Sequence, residues 1–281
     1  MKTLTDYRQA PHWSYSSLNQ FFNICGLQYY FDRILKLPRT FTPLSLAFGS
    51  AYHRVMEHVA LIRIEGKTPS VTDASDLFQT AFERQVEDEP DIDFGDKMDA
   101  ESCAAQGRSM CACYVEHIDP EEQVIAISEA FQVPLTDATG FTLDTPLIGE
   151  IDSVVLKNKT RSLVDWKTAA RRWPITKADN EWQPIAFLLG YSQKYGTSEL
   201  PTFKYEVCTK TATPAYAEYV TTRSEDDFHR LASFARLAES MIAAEHFIPN
   251  EQGFYCGSCP HQDACKAWHR DQAWGRVRVA A

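Results

Sequence analysis

The sequence predicts an α/β fold, in which a mostly helical N-terminal part leads into a sheet flanked by helices. In residues 1–120, apolar residues recur at close to helical spacing. After Pro120, short segments rich in Val, Ile and aromatic residues alternate with Gly, Pro, Asn and Asp, which is typical of strands. Helical patterns lie between and after these segments, and a helix-flanked sheet favours α/β over a sandwich.

The individual elements follow from the same periodicities. Ser14 and Ser16 are possible N-caps for the first helix, and Gly66 is a suitable end for the second. The predicted helices are 15–37, 48–64, 73–86, 97–117, 179–195 and 225–246. The predicted strands are 123–135, 146–157, 161–167, 202–208 and 215–222. With 281 residues, 44% of them hydrophobic, the chain can bury a full core as one large domain.

Composition and charge narrow the class of protein. No run of eighteen apolar residues and no secretory signal is apparent, so we expect a soluble cytoplasmic protein without a membrane span. The eight cysteines are therefore predicted to be reduced thiols or metal ligands. The net charge of −10 argues against tight duplex binding, although acidic residues crowd into 87–96. Basic residues gather at Lys167, Arg171, Arg172 and Lys177, and again at Lys266, Arg270, Arg276 and Arg278.

A first candidate site lies on two successive predicted strands. Asp165 and Lys167 are two residues apart and share one face of a strand, while Trp166 faces the other way. On the preceding strand, Asp152 shares a face with Glu150 and can lie beside Asp165. Two carboxylates and a main-chain carbonyl suit Mg²⁺ or Mn²⁺, and a nearby lysine can stabilise negative charge on a phosphate. A surface ion pair is the alternative interpretation.

These two strands also carry a family resemblance. GEIDSVV followed by LVDWKTA resembles the RecB-like exonuclease branch of the PD-(D/E)xK nucleases, with Trp166 in place of the usual tyrosine. The resemblance implies a restriction-endonuclease-like fold with a mixed central sheet. It implies that His53, within FGSAYHRVMEH, is a metal ligand together with Asp152 and Asp165, and that Gln183 supports the catalytic region. For the aromatic residue that follows, Tyr191 and Phe187 both stay open.

A second candidate site consists of Cys25, Cys256, Cys259 and Cys265. Three cysteines within ten residues and one far away fit a cuboidal cluster, whereas zinc sites usually combine two close pairs. The arrangement resembles the iron-sulfur subset of the RecB-like nucleases, which includes AddB nuclease domains and the small CRISPR adaptation nucleases. It implies a 4Fe-4S cluster, with zinc and unliganded thiols as alternatives and His261 as a substitute ligand. The remaining cysteines, Cys103, Cys111, Cys113 and Cys208, are predicted to be buried free thiols.

The resemblance implies a metal-dependent deoxyribonuclease that trims single-stranded DNA or DNA ends, in a bacterium, archaeon or phage. We expect one domain over 1–281: a helical part in 1–120, a catalytic sheet in 121–223 and a C-terminal helix with the cysteine-rich clasp in 224–281. The sequence has no phosphate-binding loop, which favours a separate helicase or recombinase as partner. The alternatives are a CRISPR adaptation nuclease that trims spacer precursors, and a catalytically idle DNA-binding or partner-docking subunit.

Overall fold

A computed structural model describes residues 2–96 and 98–273 of the chain. Two predictions fall outside this range: the helix start at Lys97, and the basic residues Arg276 and Arg278. The strands are β1 (Thr42–Pro43), β2 (Ile92–Asp93), β3 (Gln123–Val133), β4 (Leu147–Lys157), β5 (Thr160–Ala169), β6 (Thr202–Thr209) and β7 (Tyr216–Thr221). The α-helices are α1 (Leu4–Tyr7), α2 (Tyr15–Asn19), α3 (Gly26–Tyr29), α4 (Leu44–Ile64), α5 (Val71–Asp88), α6 (Ala100–Glu116), α7 (Lys177–Asn180), α8 (Gln183–Tyr195), α9 (Glu225–Ala243) and α10 (Gln262–Ala273).

A five-stranded mixed sheet with the order β3-β4-β5-β6-β7 confirms the predicted α/β class. The first three strands are antiparallel, β5 and β6 are parallel, and β7 returns antiparallel to β6. Helices α7 and α8 make the crossover that parallel strands require. All five predicted strands are present. Asn158 and Lys159 have φ of 49° and 65°, which suits the tight hairpin turn between β4 and β5.

The sheet is covered on both faces. One hydrophobic core joins residues of the sheet to α8 and α9, and it includes Leu163 and Tyr205. The other core joins the sheet to α4, α5 and α6, and it includes Val164 and Trp166. Alternate residues of β5 therefore enter different cores, as strand geometry requires. In the described part of the chain, no helix is both long enough and apolar enough to cross a bilayer.

The predicted helix 15–37 was wrong in one respect, because it is interrupted at Cys25. The backbone of Cys25 is extended (φ −169°, ψ 119°), and α3 starts after it. Close packing explains why the next residue is glycine, since a Cβ on Gly26 would lie 2.9 Å from the main-chain oxygen of Ile248. Cys25 is the N-cap of α3, because its Sγ accepts a hydrogen bond from the main-chain N–H of Gln28 at 3.4 Å. The flanking segments Gln20–Ile24 and Tyr30–Ile34 are π-helical.

Other differences are smaller. The predicted helix 179–195 is divided into α7 and α8, and Pro184 lies in the first turn of α8, where its missing N–H costs nothing. The acidic stretch 87–96 contains β2, a two-residue strand that pairs with β1 and was not predicted. Helix α10, which follows the cysteine-rich segment, was also missed.

Candidate active site and cysteine cavity

The two carboxylates of the predicted site lie where regular pairing between β4 and β5 ends. The last regular pair is Ser153 with Val164, and Asp152 and Asp165 are the next residue on each strand. Beyond that pair, a side chain and no longer a main-chain carbonyl accepts the hydrogen bond: Asp152 Oδ2 accepts from the main-chain N–H of Trp166 at 3.2 Å. Strand register therefore brings the two carboxylates together, as predicted.

Asp152 connects the sheet to α4. The Nδ1 atom of His53, which lies on α4, is 3.4 Å from Asp152 Oδ2. Burial and the neighbouring carboxylate of Asp165 raise the pKa of Asp152 well above its usual range, against the opposing effect of Lys167. Burial lowers the pKa of the His53 imidazole, and the positive charge of the Lys167 ammonium lowers it further. His53 is thus kept neutral, which is the form of histidine that binds metals.

Asp165 is buried, with 1% of the residue exposed, and it has two partners. Its Oδ1 accepts from the Nε2 of Gln183, the first residue of α8. Its Oδ2 lies 2.5 Å from Lys167 Nζ. Lys167 is about one-third exposed, and its ammonium lies 5.8 Å from the ring centre of Tyr205. The predicted residues Asp152, Asp165, Lys167, His53 and Gln183 are therefore brought together.

Tyr191 is not brought into this group, and Glu150 lies at its margin, where its charge is one of the smaller causes that raise the pKa of Asp152. Glu150 is partly exposed, and burial together with the nearby Glu57 raises its pKa. Tyr191 packs against Tyr195 with ring centres 4.7 Å apart. It lines a separate cavity with Lys159 and, on β5, Arg161. Phe187, the other aromatic candidate, packs in the core between the rings of Phe131 and Phe203.

The donor set suits a hard divalent cation, although it is not arranged around one point. Across residues 2–96 and 98–273, no group of three or more His, Cys, Asp or Glu side chains has a geometry that would hold a metal ion. Asp152 is turned toward the N–H of Trp166, and Asp165 toward Gln183 and Lys167. Two carboxylates buried next to each other repel, and a divalent cation between them would relieve that repulsion.

A polar cleft of about 710 Å³ opens beside Lys167 and Gln183. The loop after β5 supplies one wall, with exposed arginines at 171 and 172 and a tryptophan at 173. Tyr255, from the cysteine-rich segment, lines the same cleft and was not singled out by sequence reasoning. Such aromatic residues carry no local sequence signal, because their place in the cleft depends on contacts between distant segments.

The four predicted cluster cysteines line a second cavity, of about 500 Å³. Cys25 Sγ accepts from the main-chain N–H of Asn250 at 3.4 Å, in addition to that of Gln28. Burial, and then the neighbouring thiols, raise the pKa values of Cys259 and Cys265. Four cysteine sulfur atoms that line one cavity are a donor set that suits a soft metal ion or an iron-sulfur cluster.

His261 turns away from this cavity. Its ring is buried, and its Nε2 lies 2.9 Å from Asp32 Oδ1. Asp32 also accepts hydrogen bonds from Gln20 at 2.6 Å and from Arg39 at 3.1 Å. The expectation that His261 could substitute as a ligand gains no support from this orientation. The histidine instead ties the cysteine-rich segment to the helical segment that follows Cys25.

The remaining cysteines are buried as predicted. Cys103, Cys111 and Cys113 lie in α6, and Cys208 lies in β6. Burial raises the pKa of Cys208 to about 12, so its thiol is protonated at neutral pH. Cys103, Cys111 and Cys208 pack in the core between the sheet and α4–α6, and Cys113 Sγ lies 3.6 Å from the Pro214 carbonyl oxygen. None of the four lines the cleft beside Lys167 or the cysteine cavity.

Comparisons with known proteins identify the family of the chain. A family model described as the PD-(D/E)XK nuclease superfamily matches residues 12–266. A candidate exonuclease from Eubacterium rectale has a similar solved structure, with a TM-score of 0.51, 14% identity and 88% of each chain covered. A second structure, SSO0001, has a TM-score of 0.44 and 12% identity over 94% of this chain and 92% of its own. No curated protein matches. Because the family match spans most of its length, the chain belongs to the PD-(D/E)XK nuclease superfamily.

Proposed function

We propose that this nuclease is a metal-dependent exonuclease that hydrolyses phosphodiester bonds of single-stranded DNA or of DNA ends, in recombination, repair or phage DNA metabolism. The observation that carries the proposal is the meeting of Asp152, Asp165 and Lys167 at the point where β4 and β5 separate. Nucleases of this superfamily generally use divalent cations such as Mg²⁺ or Mn²⁺.

Asp152 and Asp165 would hold the cation with His53. When bound, it would offset the charge of the scissile phosphate and make a water molecule more acidic. The residues of the chain have separate tasks. Gln183 fixes the orientation of Asp165 through its amide N–H. Lys167 carries a fixed positive charge next to Asp165, where it can stabilise the negative charge that develops on the phosphate.

The cleft next to Lys167 supports a nucleic-acid strand as the substrate. Arg171 and Arg172 are exposed there and can bind backbone phosphates, despite the net charge of −10. The Trp173 ring lies next to them, with Lys177 Nζ 5.0 Å from its centre. Aromatic rings on which bases stack, beside cations that track the backbone, are typical of single-strand binding. Trp182, in contrast, stacks on Phe234 and serves core packing.

We further propose that Cys25, Cys256, Cys259 and Cys265 hold a 4Fe-4S cluster. Their common cavity and the main-chain N–H groups directed at Cys25 Sγ support this assignment. The cluster would act as a clasp between the two ends of the described chain, because it would close a very long loop and restrict the unfolded state. We also propose that 1–281 is a single nuclease domain, and that a separate helicase or recombinase supplies its substrate.

Cleavage of end-labelled DNA tests the activity. Protein purified without oxygen should shorten single-stranded DNA when Mn²⁺ or Mg²⁺ is present, and the labelled end should reveal the polarity. Lys167→Ala should lower the rate by about 10²–10³-fold, the cost of losing one group that stabilises the transition state. Lys157→Ala is the matched control, because Lys157 lies at the other end of the same hairpin and forms a surface ion pair with Asp119.

Two results would contradict the proposal. Equal cleavage by the Lys167→Ala variant would mean that the active site lies elsewhere. Protein that contains iron and is supplied with Mn²⁺ or Mg²⁺ could also bind DNA without cleaving it. That result would favour the catalytically idle DNA-binding subunit instead.

A further inference from the structure

Trp166 contacts several groups of the proposed metal site at once. Its main-chain N–H donates to Asp152, at 3.2 Å. Its ring meets the imidazole of His53 edge to face, with centres 6.1 Å apart and an angle of 71° between the planes. Asp165 and Lys167 are its neighbours in the chain. A shift of Trp166 would therefore move or release four groups of the site.

The indole of Trp166 is fixed on the face of the sheet that α4, α5 and α6 cover. Its Nε1 donates to the hydroxyl oxygen of Tyr114, on α6, at 3.1 Å. The Tyr114 hydroxyl in turn donates to Glu206 Oε2 at 2.7 Å. Glu206 lies directly beside Trp166 on the neighbouring strand, β6. All three residues are only 3% exposed, so their polar atoms have no access to bulk water and depend on one another.

Glu206 in turn contacts the buried ammonium group of Lys204. Lys204 Nζ lies 2.9 Å from Glu206 Oε1, and it also contacts Glu122 at 2.6 Å and Glu218 at 3.1 Å. With Lys204 on one oxygen and the Tyr114 hydroxyl on the other, Glu206 is held as an acceptor. The direction of the hydrogen bond from Tyr114 is therefore set, and its oxygen is left free to accept from the indole.

We propose that Tyr114, supported by Glu206, is a positioning residue for the metal site. It holds Trp166 in the one orientation that places His53 and the N–H of Trp166 around Asp152. None of these atoms would touch the substrate, so the effect would pass through the metal ligands, as it does for other groups that orient ligands. This inference rests on the proposed metal site but extends it to α6 and β6.

Mn²⁺ binding to the iron-loaded protein tests this role directly, with free Mn²⁺ quantified by electron paramagnetic resonance. Asp165→Asn should abolish binding, which assigns the signal to this site. Tyr114→Phe removes the hydroxyl but keeps the ring, and Trp166→Phe removes the indole N–H. Each should weaken Mn²⁺ binding by about tenfold. The double variant should be little weaker than either single one, because both break the same connection.

Tyr216→Phe is the matched control. Tyr216 packs against Tyr114 with ring centres 6.0 Å apart, but its hydroxyl donates to Glu218 and not toward Trp166. Its variant should bind Mn²⁺ as the original protein does. Unchanged affinity in Tyr114→Phe and Trp166→Phe, or an equal loss in Tyr216→Phe, would overturn the positioning role. If the original protein bound no Mn²⁺, both the metal-dependent nuclease and the positioning role of Tyr114 would be contradicted. If the variants bound Mn²⁺ more weakly as expected but the original protein cleaved no DNA, only the proposed nuclease activity would be overturned.

Discussion

The carboxylate site and the cysteine cavity are held together by different kinds of contact. Asp152 and Asp165 lie on paired strands in the interior, and the register of β4 and β5 fixes their separation. The cysteine cavity joins segments far apart in sequence, and within 2–96 and 98–273 individual hydrogen bonds, not a strand ladder, connect these segments. They include the hydrogen bonds of Thr40 with the Pro260 carbonyl, of Asn250 with the Ile24 carbonyl, and of His261 with Asp32.

This difference indicates how each site responds when its ligand is removed. A site fixed by a paired sheet keeps its shape, because the sheet is stabilised by its own hydrogen bonds and core. The cysteine cavity is lined by separate helical segments and by the irregular stretch 249–255, which no sheet joins, so a bound group would supply much of its stability. We therefore expect the cysteine-rich segment to depend on the proposed cluster and the carboxylate site to be independent of it.

The largest expected effect follows from Cys25→Ser. Serine is a good helix N-cap and can replace the capping contact of Cys25 with α3, so the substitution removes mainly a ligand. We expect loss of bound iron and of its visible absorbance. Hydrogen exchange in the segment around Cys256 should then accelerate by about tenfold or more, while exchange in β4 and β5 stays unchanged.

Cys103→Ala provides the control for this experiment. Cys103 is buried in α6 and contributes no sulfur to the cavity, so its variant should retain all of its iron. Iron retention by the Cys25 variant would disprove the clasp. Faster exchange in β4 and β5 would show that the carboxylate site depends on the clasp after all, and the comparison would no longer hold.

An intermediate effect is expected when the tie between His261 and Asp32 is removed. Burial alone would raise the pKa of Asp32, but hydrogen bonds from Arg39 and His261 outweigh it and the pKa is lowered. His261→Phe keeps a ring of similar shape and removes the hydrogen bond. All four thiols remain, so the cluster should assemble but lose iron to a chelator about tenfold faster.

His229→Phe is a suitable comparison, since His229 also has a hydrogen-bond partner, the main-chain carbonyl of Thr136, but lies on α9 and does not line the cavity. If His261→Phe loses iron as slowly as the original protein, the hydrogen bond between His261 and Asp32 does not help to retain the iron. Complete absence of iron in that variant would instead indicate that His261 is a ligand.

The sequence predicted features that depend on neighbours along the chain. Runs of β-branched residues located all five strands of the central sheet. Alternation along β5 placed Asp165 and Lys167 on one face with Trp166 on the other. It did not predict the break at Cys25, which depends on close packing of Gly26 against residue 248. The tie between residues 32 and 261 also joins distant segments, and no local pattern encodes such a contact.

The residues that we propose to support the carboxylate site were missed for the same reason. Gln183 was assigned through a motif, but Tyr114 and Glu206 belong to no motif, and each has a plausible role as an ordinary core or strand residue. Their connection with Trp166 becomes visible only when α6, β5 and β6 are packed together. Tyr191 shows the converse case, because the family resemblance left it open as the supporting aromatic residue, yet its side chain lines another cavity.

The smallest expected effect concerns the hydrogen bond between Gln183 and Asp165. Gln183→Leu leaves Asp165 Oδ1 buried without its donor, so the free energy of unfolding in urea should fall by about 1–3 kcal/mol. Gln193→Leu, at an exposed position of the same helix, should change it by less than about 0.5 kcal/mol. Iron content should be unchanged in both variants, because α8 supplies no residue to the cysteine cavity. An unchanged free energy in Gln183→Leu would mean that Lys167 alone supports Asp165, and the carboxylate site would then be less firmly held by the fold than the sheet register suggests.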